Sequence, residues 1–191
     1  LNFVLIVTDS YGDSDSINVE VEGEFTAMLS LNIYPGWNWL SINLESEDMH
    51  PNNILASLDV NINDIIKNQS ASAIYYGPEN GWIGSLNEID ASSMYMLYSS
   101  NEGALDYRGF PIDPSTRSIS LWPGWNWIGY LPMGELSVND ALGSVELEFN
   151  NMIKNQMAST IYYGQEDGWQ GSLNNLRPGD GYRLLVSTIN F

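Results

Sequence analysis

The sequence contains no cysteine, one histidine, and only 6 lysines and arginines against 24 aspartates and glutamates. Without cysteine there are no disulfides and no thiolate metal ligands, and the redox compartment stays open. A formal net charge of -18 repels nucleic-acid phosphates and anionic lipid surfaces, so neither is expected as a partner. No apolar run approaches the roughly 18 to 20 residues that span a bilayer. Residues 1–7 are too short, and lack the basic flank, to read as a signal peptide. One histidine, with no Gly-x-Ser-x-Gly and no phosphate-cradling glycine loop, leaves hydrolase triads and nucleotide loops without support.

What is present folds. Hydrophobic residues make up 43% of the chain and aromatics 12%, too many for a disordered segment. A length of 191 residues allows one large or two small domains, and an internal repeat decides for two. Pro35-Gly36-Trp37-Asn38-Trp39 returns as Pro123-Gly124-Trp125-Asn126-Trp127, and Ile66-Lys67-Asn68-Gln69 as Ile153-Lys154-Asn155-Gln156. Residues 65–86 match 152–173 at 16 of 22 positions.

Each copy reads as β-β-α-β-β-β. Alternating Leu29, Leu31 and Ile33 predict a strand that turns at Pro35-Gly36 and returns as a hairpin through Trp-Asn-Trp into Leu40, Ile42 and Leu44. A short helix follows. Pro51 fits its first turn and Ile54, Leu55 and Leu58 its apolar stripe; in copy two Ser137 caps, and Ala141, Leu142 and Val145 form the stripe. Three strands bounded by Gly, Asn, Asp or Pro complete the unit. The expected fold is mainly β with one short helix per repeat: two tandem modules, barrel- or sandwich-like, over 25–98 and 119–191. Residues 99–118, with Gly103, Gly109, Pro111 and Pro114, read as a linker pinned by Tyr107 and Phe110. Residues 1–24 belong to neither copy and read as a hairpin.

Candidate chemistry is sparse. His50 stands where Ser137 stands in copy two, so a local capping role is expected. Glu79 and Glu166 are matched carboxylates of the kind a glycosidase uses, but both lie in turns and are more simply turn features. Asp9, Asp13 and Asp15 alternate with Ser10, Gly12 and Ser14. They offer either hard oxygen ligands for calcium or an ordinary polar turn, and no Glu completes an EF-hand loop.

The aromatics form the best candidate surface. Trp37 and Trp39 share one strand parity while Asn38, Leu40 and Ile42 share the other, and Trp125 and Trp127 repeat the conflict; either the tryptophans face outward or a bulge intervenes. Trp82 and Trp169, beside glycines, and Tyr75, Tyr76, Tyr162 and Tyr163 complete a set suited to stacking on sugar rings or to core packing.

Residues 3–23, FVLIVTDSYGDSDSINVEVEG, resemble the last two strands of the immunoglobulin-like PKD and cadherin-like domains of bacterial surface proteins. The copies, with Gly-Trp-Asn near the start and Pro178-Gly179-Asp180-Gly181-Tyr182 near the end, resemble repeats near the C-termini of exported bacterial proteins; copy one departs, with Ala91-Ser92-Ser93-Met94-Tyr95. The resemblance implies a non-catalytic, extracellular or cell-surface, structural and adhesive part of a longer protein. Its partners would be neighbouring domains of the same chain, a polysaccharide, another surface protein or further copies of itself. The alternative is a carbohydrate-binding module, and a glycoside hydrolase ranks below both.

Overall fold

The computed structural model describes residues 2–8, 10–12, 14–20 and 25–187, with the backbone alone for 2–7 and 15–20. The fold is mainly β. Strands β1 (Asn2–Thr8) and β2 (Ser14–Glu20) pair antiparallel as a separate two-stranded sheet. Next come β3 (Ala27–Ile33), β4 (Gly36–Leu40), β5 (Leu44–Glu45), helix α1 (Pro51–Ile54), β6 (Ile65–Lys67), β7 (Ser72–Tyr75), β8 (Trp82–Gly84), β9 (Tyr95–Ser99) and β10 (Gly103–Pro111). The remainder is β11 (Gly124–Ile128), β12 (Leu136–Ser137), α2 (Val138–Ala141), β13 (Met152–Lys154), β14 (Ser159–Tyr162), β15 (Trp169–Gly171), β16 (Asn175–Leu176) and β17 (Tyr182–Val186).

The repeat builds two antiparallel five-stranded sheets of the same order, β4-β9-β6-β7-β8 and β11-β17-β13-β14-β15. Both are open; no closed barrel forms among the described residues. Alternation sets the faces. Asn38, Leu40, Ile66, Ala73, Trp82, Tyr95 and Leu97 are buried on the inner face of the first sheet, and Asn126, Ile128, Ile153, Thr160, Tyr182 and Leu184 on that of the second. Burial pushes the hydroxyl of Tyr95 up to about 12, and raises that of its counterpart Tyr182 for the same reason.

The expected hairpin at Pro35-Gly36 is not formed. β3 pairs with β10 in a three-stranded β3-β10-β5 sheet, whereas β4 pairs with β9, so the turn is a corner at which the chain changes sheets. The asparagine of Trp-Asn-Trp fixes that corner. Asn38 Oδ1 accepts from Tyr34 N–H at 2.9 Å, and Nδ2 donates to the carbonyls of Tyr34 and Gly36 at 2.7 and 3.1 Å. Asn126 does the same for Trp122 and Gly124 at 2.8, 2.8 and 3.0 Å. These bonds consume the groups a hairpin would use, and Gly36 and Gly124 supply the left-handed φ of +100° and +98° that the bend requires.

The linker expected over 99–118 also fails in its central part. Residues Gly103–Pro111 form β10, the longest strand, with Leu105 and Tyr107 buried in the core of the first sheet and Phe110 exposed. The helices are one turn each. His50 caps α1, its Nδ1 accepting from Asn52 N–H, and Ser137 caps α2 by accepting from Asp140 N–H.

Candidate functional site

The two sheets meet through the repeated residues themselves. β4 and β11 are edge strands, and an edge needs partners for its free backbone groups. The Gln of each Ile-Lys-Asn-Gln segment supplies them across the repeat boundary. Gln156 Oε1 accepts from Trp39 N–H at 2.8 Å while its Nε2 donates to the Trp37 carbonyl at 2.7 Å. Reciprocally, Gln69 accepts from Trp127 N–H and donates to the Trp125 carbonyl, both at 2.8 Å. Further along the edges, Ser41 N–H donates to Gly179 O at 2.9 Å and its counterpart Gly129 N–H donates to Ser92 O at 2.8 Å. Any Cβ at Gly129 would lie 2.0 Å from the Ala91 carbonyl oxygen, so the close approach needs glycine there.

The outer faces carry the tryptophans. There is no bulge: Trp37 is 38% exposed and Trp39 half-buried, while Asn38 and Leu40 point inward, and Trp125 and Trp127 repeat this. A cross-strand row runs from Trp37 through Tyr98, Ile65 and Ile74 to Ile83, with a T-shaped Trp37–Tyr98 contact at 5.4 Å. In the second sheet the row is Trp125, Leu185, Met152, Ile161 and Gln170.

Cations sit on these rings. The chain's two lysines occupy matched positions, Lys67 Nζ 4.7 Å from the Trp37 centroid and Lys154 Nζ 4.7 Å from that of Trp125. The guanidinium of Arg183 lies between the repeats, 4.3 Å from the Trp39 ring and 4.2 Å from the Trp127 ring. Its Nη2 reaches Met96 Sδ, the side chain at the matching position, at 3.1 Å. Among the described residues none of the three cations pairs with a carboxylate; the ion pairs formed belong to Arg117 and Arg177. In a chain of net charge -18, half of the basic residues are thus gathered against four tryptophans.

The other expected site residues lie elsewhere. Trp82 is 4% exposed and packs on Tyr75 at 5.5 Å in the core, its backbone N–H held by Asn52 Oδ1 at 2.7 Å. Its expected role as a ligand platform is therefore corrected to core packing, because its strand parity points it inward. Trp169 is half-buried on Tyr162 at 5.4 Å and faces the same way. Tyr76 and Tyr163 are exposed, Tyr163 edge-on to Phe149. Glu79 and Glu166 lie exposed in turns. Asp9 and Asp13 lie outside the described residues, and of Asp15 only the backbone, paired with Val7, is described.

Lys67, Lys154, Arg183 and Tyr98 were not anticipated as part of the site. Their signal was cross-strand register, which a single strand does not reveal. No described helix is long and apolar enough to cross a membrane. Comparison with family models, curated proteins and solved structures gives no significant match to this chain.

Proposed function

We propose that this chain is a non-catalytic structural and adhesive part of a larger secreted or cell-surface protein, made of two tandem modules locked together by Gln69 and Gln156 and preceded by a PKD- or cadherin-like hairpin. The observation that carries the reading is the pair of matched Trp–Lys stacks on the outer faces. Ring faces backed by apolar rows, with cations and no carboxylate in the rows, suit attachment to a polymer whose units present both an apolar face and negative charge. The interface between the repeats spends Trp39, Trp127 and the two glutamines on architecture, leaving Trp37, Trp125 and Tyr98 as the surfaces that hold a partner.

Carbohydrate recognition is the second reading, favoured by the exposure of Trp37, Trp125 and Tyr98. The test is titration with neutral and acidic polysaccharides followed by tryptophan fluorescence, with and without calcium. The calcium arm bears on the proposed ligands Asp9, Asp13 and Asp15. A saturable change with an acidic polysaccharide that weakens at least tenfold in a Trp37→Ala, Trp125→Ala double variant supports the site. Binding that is unchanged in that variant removes the tryptophan face as the holding surface, and no response to any polysaccharide removes sugar recognition.

A further inference from the structure

We infer that Lys154 and Arg183 form one anion-binding site at the junction of the repeats, and that it holds the carboxylate of a uronic-acid unit in an acidic polysaccharide. The inference rests on the structural and adhesive reading; within it, the unit held is named and is placed on the second repeat alone.

The site begins as an unfavourable pair. β13 and β17 set Lys154 directly opposite Arg183 on the outer face. Directly opposed side chains start about 5 Å apart, and like charges placed there repel. The first repeat avoids this, since its matching pair is Lys67 opposite Met96. Carboxylates give no relief: among the described residues none lies within ion-pair distance of either cation, although the chain has 24 aspartates and glutamates. Asp180, three residues before Arg183, accepts instead from Asn155 Nδ2 and the Tyr182 hydroxyl, both at 3.2 Å.

The rings gather the two charges. Lys154 Nζ lies 6.0 Å from the Trp39 centroid and the Arg183 guanidinium 4.3 Å from the same centroid, so both heads surround one ring. Trp127 lies 4.2 Å from the guanidinium, and Trp125 supports Lys154 at 4.7 Å. Ring contacts occupy the faces of a guanidinium and leave its N–H edge as the direction for an acceptor. Within the protein that edge is under-used. Nη2 meets only the weak acceptor Met96 Sδ at 3.1 Å, and Nε is enclosed with no partner among the described residues. An enclosed donor without an acceptor is the kind of group that an ordered ion or water satisfies.

Chemistry selects the ligand. A planar carboxylate enters edge-on between two rings and accepts in the plane of the guanidinium, whereas a tetrahedral sulfate or phosphate directs oxygens out of that plane toward the rings. The net charge of -18 acts in the same sense: it repels a densely charged chain, while two local cations hold an isolated carboxylate. Trp125, 38% exposed beside Lys154, offers the flat apolar surface on which the sugar ring of the unit rests. An acidic peptide would present its carboxylate without that ring.

The experiment titrates the intact chain, by tryptophan fluorescence, with oligosaccharides of galacturonate, glucuronate and mannuronate. A neutral galactose oligosaccharide, a sulfated dextran and polyglutamate are the comparators. Saturable binding of at least one uronate oligosaccharide is expected, with every comparator at least tenfold weaker. Arg183→Met copies the first repeat and Lys154→Met removes the other charge; each loses a charge-assisted contact and should weaken binding roughly tenfold or more. Lys67→Met, at the matched stack that lacks a second cation, should cost a smaller factor, about threefold. Urea unfolding separates these losses from a damaged fold. The double variant Arg183→Met, Met96→Arg moves the cation pair opposite Lys67 and should regain binding to within about threefold of the original. No saturable uronate binding, equal affinity for sulfated dextran or polyglutamate, equal losses in Lys67→Met and Lys154→Met, or a folded double variant as weak as Arg183→Met each overturns the inference. Loss of polysaccharide binding in the Trp37→Ala, Trp125→Ala variant, with binding kept in both cation variants, would leave the adhesive reading standing without this site. Loss in both cation variants, with binding kept in Trp37→Ala and Tyr98→Ala, would leave this site standing and remove the first repeat from the adhesive surface.

Discussion

The two repeats share a sheet and differ, among the described residues, in what covers it. In the first, β3 and β10 close the inner face with Leu29, Ile33, Leu105 and Tyr107; in the second, Ile119 and Leu121 lie half-buried beside a cavity of about 660 Å³. Two of the identical segments, Trp-Asn-Trp and Ile-Lys-Asn-Gln, form the corner, the edge strand and the reciprocal docking. The dissimilar segments are the covers.

The sharpest way to break the comparison is to remove one apolar side chain from each cover. Leu105 is fully buried in a filled core, so Leu105→Ala removes its transfer energy and leaves a void, at a cost of about 2–5 kcal/mol. Ile119→Ala borders space that is open among the described residues and should cost less than about 1 kcal/mol. Urea unfolding followed by tryptophan fluorescence measures both, and equal losses would mean that the two cores are closed alike.

The repeat, the strand parity and the caps were legible because each is written in adjacent residues. Alternation put Trp37 and Trp39 opposite Asn38 and Leu40, and the structure keeps that opposition. The sheet change at Pro35-Gly36 was not legible, since a Pro-Gly turn permits both a hairpin and a corner, and the choice is made by Asn38 reaching back to Tyr34. The glycines and prolines of 99–118 suggested a linker. Gly109 is instead a contact residue of β10: a Cβ there would lie 2.5 Å from the carbonyl oxygen of Glu45. Gln69 and Gln156 were visible as repeated residues. Their function was hidden, because an exposed polar side chain acquires meaning only from a backbone edge some sixty residues or more away in sequence.

Those glutamines sharpen the comparison at the next level of effect. Each makes two hydrogen bonds to an edge strand, so Gln69→Ala and Gln156→Ala should each cost about 1–3 kcal/mol. If the docking is truly reciprocal the two losses match. A loss confined to one variant in the same urea experiment would show that only one edge depends on its partner.

The smallest effect concerns the position at which the reciprocity fails. Met96 and Arg183 occupy matching places, but only Arg183 is charged, and its guanidinium lies between Trp39 and Trp127. Two opposing terms act on it. Cation–π contact with two rings contributes about 0.5–2 kcal/mol each way it is counted. Against that, burial lowers the stability of the charged form, and Nε is enclosed with no hydrogen-bond partner among the described residues, a penalty of about 1–3 kcal/mol. The terms nearly cancel, so Arg183→Met, which restores the symmetric pair and keeps a side chain between the rings with favourable sulfur–aromatic contact, should change stability by no more than about 1 kcal/mol. Arg183→Ala empties the space between the rings and should cost more. If the methionine variant loses as much as the alanine one, the charge rather than the filling of the gap holds the two tryptophans together, and the cation is then part of the fold of the face as well as of its chemistry.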